Sequence, residues 1–285
     1  MRNSLTRLSA TLFQFCLRKS NPSRLHAPLT WLLVLGLTVF GSVILMPRQV
    51  QAESLDAAPA QLTEALQLID AAANKRDLKT VLQFYGKNFK GADGLTRQSL
   101  SNALSEFWKR FQGLNYRTEL KSWETENQMI VAETITYITG TQTLAGRKIS
   151  LNATLHSRQH YSDNKIVQQE ILAERSQLSF GQSPPTLSIN LPETVRVGQP
   201  FNFDAIVQEP LGDDLLLGAA LEEPVKVDGY VKATPIDLEL LPAGGIFKLG
   251  RAPYSANNHW LSAVILRGDG MSAVTQRLRV TRHGR

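Results

Sequence analysis

The chain has 285 residues, 31 Lys+Arg against 25 Asp+Glu, and a single cysteine, Cys16. Residues 1–52 hold six Lys/Arg and no carboxylate, so the rest carries 25 Lys/Arg against 25 Asp/Glu and is formally neutral. A neutral body argues against nucleic acid as a partner, and the lack of cysteine beyond position 16 excludes disulfides and zinc–thiolate sites there.

Residues 29–46 form one unbroken apolar run, preceded by Arg2, Arg7, Arg18, Lys19 and Arg24 and followed closely only by Arg48. Positive charge stays on the cytoplasmic side, so the run inserts with its C-terminal side outward. Pro47 ends the helix, and Val50-Gln51-Ala52 offers small residues for cleavage before Glu53. Residues 1–52 therefore read as a signal peptide. The alternative is an uncleaved signal anchor, because an uncharged 18-residue run sits at the lower edge of what spans a bilayer. Both readings place residues 53–285 outside the cytoplasm, in a periplasm or equivalent lumen, with the membrane as a partner if the segment stays.

From residue 59 to 112 the pattern is helical. Pro59 suits a helix start, and Leu62, Leu66 and Ile69 recur at helix spacing among alanines that favour the helix. Asp77 caps a second helix carrying Leu78, Val81, Leu82, Phe84 and Tyr85. Gly91-Ala92-Asp93-Gly94 is a turn, and Leu100, Leu104, Phe107, Trp108 and Phe111 stripe a third helix. At Leu114 the period changes to two. Long strands are expected over 116–124, 129–141, 148–161 and 166–178, with turns at Glu126-Asn127, Ala145-Gly146 and Ser162-Asp163-Asn164. Ile149, Leu151, Ala153 and Leu155 share one face of the third strand, while Ser150, Asn152, His156 and Arg158 share the other, as in a sheet covered on one side.

The passages RDLKTVLQFYGKNFKGADG at 76–94 and LHSRQHYSDNKIVQQEILAERSQL at 155–178 carry a likeness to a known family. Together with the paired opening helices, they resemble the NTF2-like (SnoaL and ketosteroid isomerase-like) family over about 59–180. The resemblance implies an α+β cone, three helices on a curved antiparallel sheet, for residues 53–181. It also implies a cavity between helices and sheet that holds a small apolar ligand or is filled by side chains, and a homodimer through the sheet face.

Gln182-Ser183-Pro184-Pro185 reads as a linker, since prolines cannot continue a central strand. Short β segments follow at 186–191, 201–207, 215–221, 225–231, 236–241, 260–266 and 272–281, the pattern of an all-β sandwich over 186–285. ETVRVGQPFNFDAIV at 193–207 and WLSAVILRGDGMSAVTQRLRVT at 260–281 resemble the opening and closing of bacterial immunoglobulin-like domains. Two departures stand out: there is no cysteine pair, and Trp260 falls late.

No nucleophile-elbow, zinc-helix, phosphate-loop, calcium-loop or dinucleotide fingerprint occurs. His156 and His160 lie four apart on an expected strand, about 13 Å from each other, too far to share one metal ion. No metal or cofactor is expected. The ketosteroid isomerase likeness implies a carboxylate base in the cavity; Glu133 and Asp93 are the candidates, with Tyr85, Trp108 and Tyr137 as ligand-binding aromatics. The plainer alternative makes these aromatics core residues and Glu133 an outward carboxylate. Arg277, Arg279, Arg282 and Arg285 suggest a cationic, aggregation-resistant edge strand and tail. The expected role is a non-catalytic binding or scaffolding module of the bacterial cell envelope, its partner an envelope protein or polymer. The alternative is an isomerase or dehydratase of a small hydrophobic molecule.

Overall fold

The computed structural model describes residues 58–232 and 234–282; the segment 1–52 with its apolar run and Cys16, and Arg285 at the other end, lie outside them. Helix α1 (Ala60–Asn74) buries Leu62, Ala65, Leu66, Ala72 and Ala73, an apolar stripe at three- and four-residue spacing. Asp77 caps α2 (Leu78–Gln83) by accepting a hydrogen bond from the Thr80 N–H at 3.0 Å. The chain then leaves the helical pattern: Tyr85 belongs to strand β1 (Tyr85–Gly91), not to the second helix. Thr96 and Ser99 form a reciprocal capping box at the start of α3 (Arg97–Arg110). Among the described residues no helix is long and apolar enough to cross a membrane.

Four long strands follow: β2 (Gln112–Glu126), β3 (Met129–Leu144), β4 (Arg147–Ser162) and β5 (Lys165–Phe180). Two-residue turns join them, and both residues of each turn have positive φ: Asn127 and Gln128, Ala145 and Gly146, Asp163 and Asn164. That is the type I′ conformation, whose twist matches the strands it connects. Beyond them lie β6 (Leu187–Asn190), β7 (Thr194–Arg196), β8 (Pro200–Val207), β9 (Leu216–Pro224), β10 (Glu239–Leu240), β11 (Gly245–Arg251), β12 (His259–Arg267) and β13 (Gly270–Thr281). Residues 225–231, expected as a strand, instead carry a 3-10 turn at Val227–Tyr230, and β11 arises where no strand was expected.

The expected fold class, a three-helix cone followed by a separate all-β sandwich, is corrected by the sheet. The described residues are mostly antiparallel strands, and both halves share one ten-stranded sheet of order β10-β9-β12-β13-β5-β4-β3-β2, with β1 beside β5 and β7 beside β13. The join is β13 on β5, running from Met271 opposite Phe180 to Gln276 opposite Arg175. Strand β13 is thus central, with one edge on β12 and the other on β5. Residues 182–185 lie against the turn that starts it: Pro185 is fully buried, and its carbonyl accepts the Ser272 hydroxyl at 2.6 Å.

Successive side chains of a strand point to opposite faces, and the two covering layers use different faces. The helices pack on the face bearing Ala132, Leu151 and Leu178. The second sheet, of order β11-β8-β6, packs its Phe201, Phe203 and Ala205 on the face bearing Leu261, Ala263, Ile265, Val274 and Leu278. Val274 pairs with Gln177 while its neighbour Ala273 pairs with Leu178, so these faces are opposite. The face of β2–β5 turned away from the helices carries neither layer.

Helix α1 shields the β2 edge. Asn74 donates through Nδ2 to the Tyr116 carbonyl at 3.1 Å and accepts from the Tyr116 N–H at 2.6 Å, completing a ladder as a neighbouring strand would. Asp70 accepts the Thr118 N–H at 2.6 Å and its hydroxyl at 2.7 Å. Such pairing blunts an edge that would otherwise template association. Asn74→Ala is expected to lower stability by about 1–2 kcal/mol in urea unfolding and to increase aggregation measured by light scattering.

Candidate functional site

Asp93, in the turn that delivers the chain to α3, meets Arg277 and Tyr230, both distant in sequence, and Arg277 links it to Glu174. The Arg277 Nη1 donates to Asp93 Oδ1 at 3.0 Å and to Oδ2 at 2.9 Å, and the Tyr230 hydroxyl donates to Oδ2 at 3.0 Å. Glu174 Oε2 accepts from Arg277 Nε at 3.1 Å, Arg277 Nη2 at 2.8 Å and Trp260 Nε1 at 3.0 Å. Arg277 Nη2 also donates to the Tyr230 oxygen at 3.0 Å. The Tyr230 and Trp260 rings meet edge to face with centroids 4.9 Å apart. The Arg277 side chain is 0% exposed and Asp93 7%.

Burial works against the Arg277 charge, but Glu174, Tyr230 and Asp93 outweigh it and raise its pKa. Burial raises the Tyr230 pKa, helped by the two carboxylates and opposed by Arg277. Both Asp93 oxygens accept hydrogen bonds from within the protein, so this carboxylate is engaged with Arg277 and Tyr230. The cationic edge strand expected from Arg277 and Arg279 is corrected here: β13 is a central strand, and Arg277 is its most buried charge.

Glu133 lies on the opposite face, away from the helices. The helix-facing residues of β3 include Ile130, Ala132 and Ile138, so alternation turns Val131, Glu133, Ile135 and Tyr137 outward. Glu133 Oε1 accepts from Arg158 Nε at 3.0 Å and Nη2 at 2.6 Å. His156 Nε2 is 3.4 Å from Glu133 Oε2, an ion-pair distance without hydrogen-bond geometry; among the described residues that nitrogen has no hydrogen-bond partner. Glu170 continues the row, 3.8 Å from Arg158 Nη1 and 2.5 Å from Arg279 Nη2. Burial would push the Glu133 carboxyl up, but the Arg158 hydrogen bond and charge, with His156, hold it below its ordinary value.

The aromatic candidates do not converge. Trp108 is buried under the helices and donates through Nε1 to the Tyr116 hydroxyl at 2.9 Å. Tyr85 stacks edge to face on Phe89, centroids 4.9 Å apart, between two apolar clusters. Tyr137 stands on the other face, where the Arg117 guanidinium lies 4.3 Å from its ring centre and its hydroxyl donates to Glu119 Oε2 at 3.4 Å. A separate polar cleft runs along Ser183, Pro184, Pro185, Glu209, Asp214 and Arg267 to the turn at Gly268 and Asp269. None of the sequence-predicted site residues lines it.

Sequence inspection singled out Asp93 and Glu133 but missed their cations. Arg158 opposite Glu133 follows from strand register once the β3–β4 turn is placed. Nothing local links Arg277 to Asp93, 184 positions away.

A family model described as a domain of unknown function, DUF8623, matches residues 182–281. No curated protein matches the chain. Solved structures resemble part of it. A candidate SnoaL-like polyketide cyclase from Shewanella putrefaciens aligns over 40% of this chain and 89% of its own, at 13% identity and a TM-score of 0.31. An LEH-like epoxide hydrolase from M. tuberculosis aligns over 39% of this chain and 80% of its own, at 10% identity and a TM-score of 0.27. A Catenulispora acidiphila protein with a ketosteroid isomerase-like fold, in complex with trimethylamine, aligns over 40% and 85%, at 10% identity and a TM-score of 0.29.

Replacing Arg277 by Met leaves two carboxylates facing each other without a cation. The expected loss is about 3–5 kcal/mol in urea unfolding. Burial also pushes the Tyr85 and Tyr116 hydroxyls up to about 12. Raised folded-state values mean that this stability is fully present below pH 10 and is lost as pH climbs from 10 towards 12. The urea midpoint should fall over that window, and Tyr85→Phe should make the fall shallower.

Proposed function

We propose that this chain is a non-catalytic binding or scaffolding protein of the cell envelope, carried out of the cytoplasm by residues 1–52. In this reading it presents the uncovered face of β2–β5 to an envelope protein or polymer. The observation that carries it is the state of the two carboxylates a catalytic reading relies on. Glu133 is bound to Arg158 on an outward face, and Asp93 is bound to buried Arg277. A general base needs a proton-accepting oxygen that is free to meet substrate.

The packing of Trp108, Phe111 and Tyr116 under the helices supports an interior filled by side chains over a ligand cavity. The outward face is suited to a hydrated partner. Glu133, His156, Arg158 and Glu170 form a partly exposed ionic row, beside Tyr137 and the exposed Asn152 and Thr154. Charged rows of this kind fix orientation and discriminate between partners more than they add raw affinity.

The test is photo-crosslinking of the full chain in its native cells, with a photoreactive residue in place of Tyr137 or Thr154 and, as control, of buried Tyr85. Adducts to an envelope protein or polymer are expected from positions 137 and 154, at least ten-fold fewer from 85, and fewer again when Arg158→Glu is added. Equal labelling at all three positions, or a protein retained in the cytoplasmic fraction, would remove this reading.

A further inference from the structure

The uncovered face of β2–β5 has two unlike ends: one bears the ionic row, and the other bears four rows without a carboxylate. Direct cross-strand partners share a face, so the register sets out these rows. Arg117, Tyr137, Thr154 and Arg175 form the first, and Asn115, Thr139, Asn152 and Gln177 the second. Thr141, Ser150 and Ser179 follow, then Thr143 opposite Lys148. Three interstrand steps, by the length of β3 from Tyr137 to Thr143, make a patch of about 14 by 20 Å. Glu119, which borders it, is already paired with Arg117 and accepts the Tyr137 hydroxyl. The second sheet bounds another side: Gln177 stands opposite Val274, which is buried in one cluster with Leu187 and Leu191 at β6.

The protein leaves most of these polar groups unsatisfied. Among the described residues, the side chains of Asn115, Thr139, Ser150, Asn152, Thr154 and Gln177 make no hydrogen bond, and Arg175 and Lys148 have no carboxylate partner. All of them but Gln177 are exposed. Such a composition selects its partner. Protein interfaces are anchored on buried apolar and aromatic centres, and the one aromatic ring in these rows, Tyr137, already has the Arg117 guanidinium 4.3 Å from its centre. A cationic partner would find no free carboxylate. What remains is an open, hydrated lattice of hydroxyls and amides that both donate and accept, with two unpaired cations. We infer, on the envelope-binding reading above, that this end of the face binds an extended acidic polysaccharide. Its hydroxyls meet the Asn, Gln, Ser and Thr side chains, and its carboxylates meet Arg175 and Lys148.

Affinity electrophoresis of the protein, purified in detergent from its native cells, tests this with three soluble polymers. Polygalacturonate carries hydroxyls and carboxylates, dextran hydroxyls only, and polyglutamate carboxylates without hydroxyls. Polygalacturonate is expected to bind at least ten-fold more tightly than either of the others. Arg175→Glu with Lys148→Glu should weaken that binding at least ten-fold, and Thr139→Ala with Asn152→Ala several-fold, all at exposed positions that leave the fold intact. Lys109→Glu, the same charge change at an exposed position of α3, should leave it unchanged. No retardation by polygalacturonate, equal retardation by dextran or polyglutamate, indifference to the Arg175 and Lys148 changes, or equal weakening by Lys109→Glu would each overturn the proposal. Crosslinks from positions 137 and 154 separate it from the reading it rests on. Adducts to protein alone would overturn the polysaccharide and leave envelope binding standing, whereas no adducts at either position would remove both.

Discussion

A guanidinium without water is tolerable only where carboxylates surround it, and Arg277 is in that position. Its partners come from four separate stretches: the turn before α3, the strand β5, the 3-10 turn at Val227–Tyr230, and β12 through the Trp260 ring. Each partner is correctly placed only if its own element is. The helix layer must set Asp93, the β13–β5 register must set Glu174, and residues 227–230 must fold over Trp260. A buried charge cluster contributes less net stability than its hydrogen bonds imply, because desolvation offsets much of the attraction. Its effect is on specificity: arrangements that separate these elements leave a charge buried without its counter-ion.

That dependence explains why a boundary near residue 182 does not behave as a break in the sheet. Two prolines interrupt the chain there, yet β13 pairs with β5 up to Phe180, and Pro185 is packed under Ser272. Backbone hydrogen bonding thus crosses the position where the covalent chain turns away. The covering layers do not cross it. Helices cover one face at one end and the second sheet covers the opposite face at the other, so each half leaves open the face that the other half uses.

The hairpins from β2 to β5 were legible because alternation of polar and apolar residues and short turns are local signals. Which face of β3 is buried was not legible. Val131, Ile135 and Tyr137 look as apolar as Ile130, Ala132 and Ile138, and only the helices decide between the two sets. The local pattern around Tyr85 is helical, whereas β1 exists through parallel pairing with β5 some 80 residues later. Arg277 and Arg279 looked like a solvated edge because partner strands leave no mark on the strand they flank. The likeness in residues 76–94 and 155–178 concerned local segments, and the correction to the fold class came from long-range pairing that such segments do not encode.

The two open faces differ in what water does to them. On the outward face of β2–β5 the Glu133, Arg158 and Glu170 charges are paired with one another and partly exposed, so hydration and protein contacts both satisfy them. The exposed Leu215, Leu217 and Leu240 have no such compensation: each keeps an unfavourable contact with water, at roughly 25 cal/mol for every Å² of apolar surface. Edge strands of natural sheets usually carry a charge or a bulge to prevent association. In the outermost strand Glu239 stands opposite Gly218, so it points to the other face from Leu240. Covering the two faces therefore has different consequences: it changes little on the ionic face and removes apolar surface from water on the other.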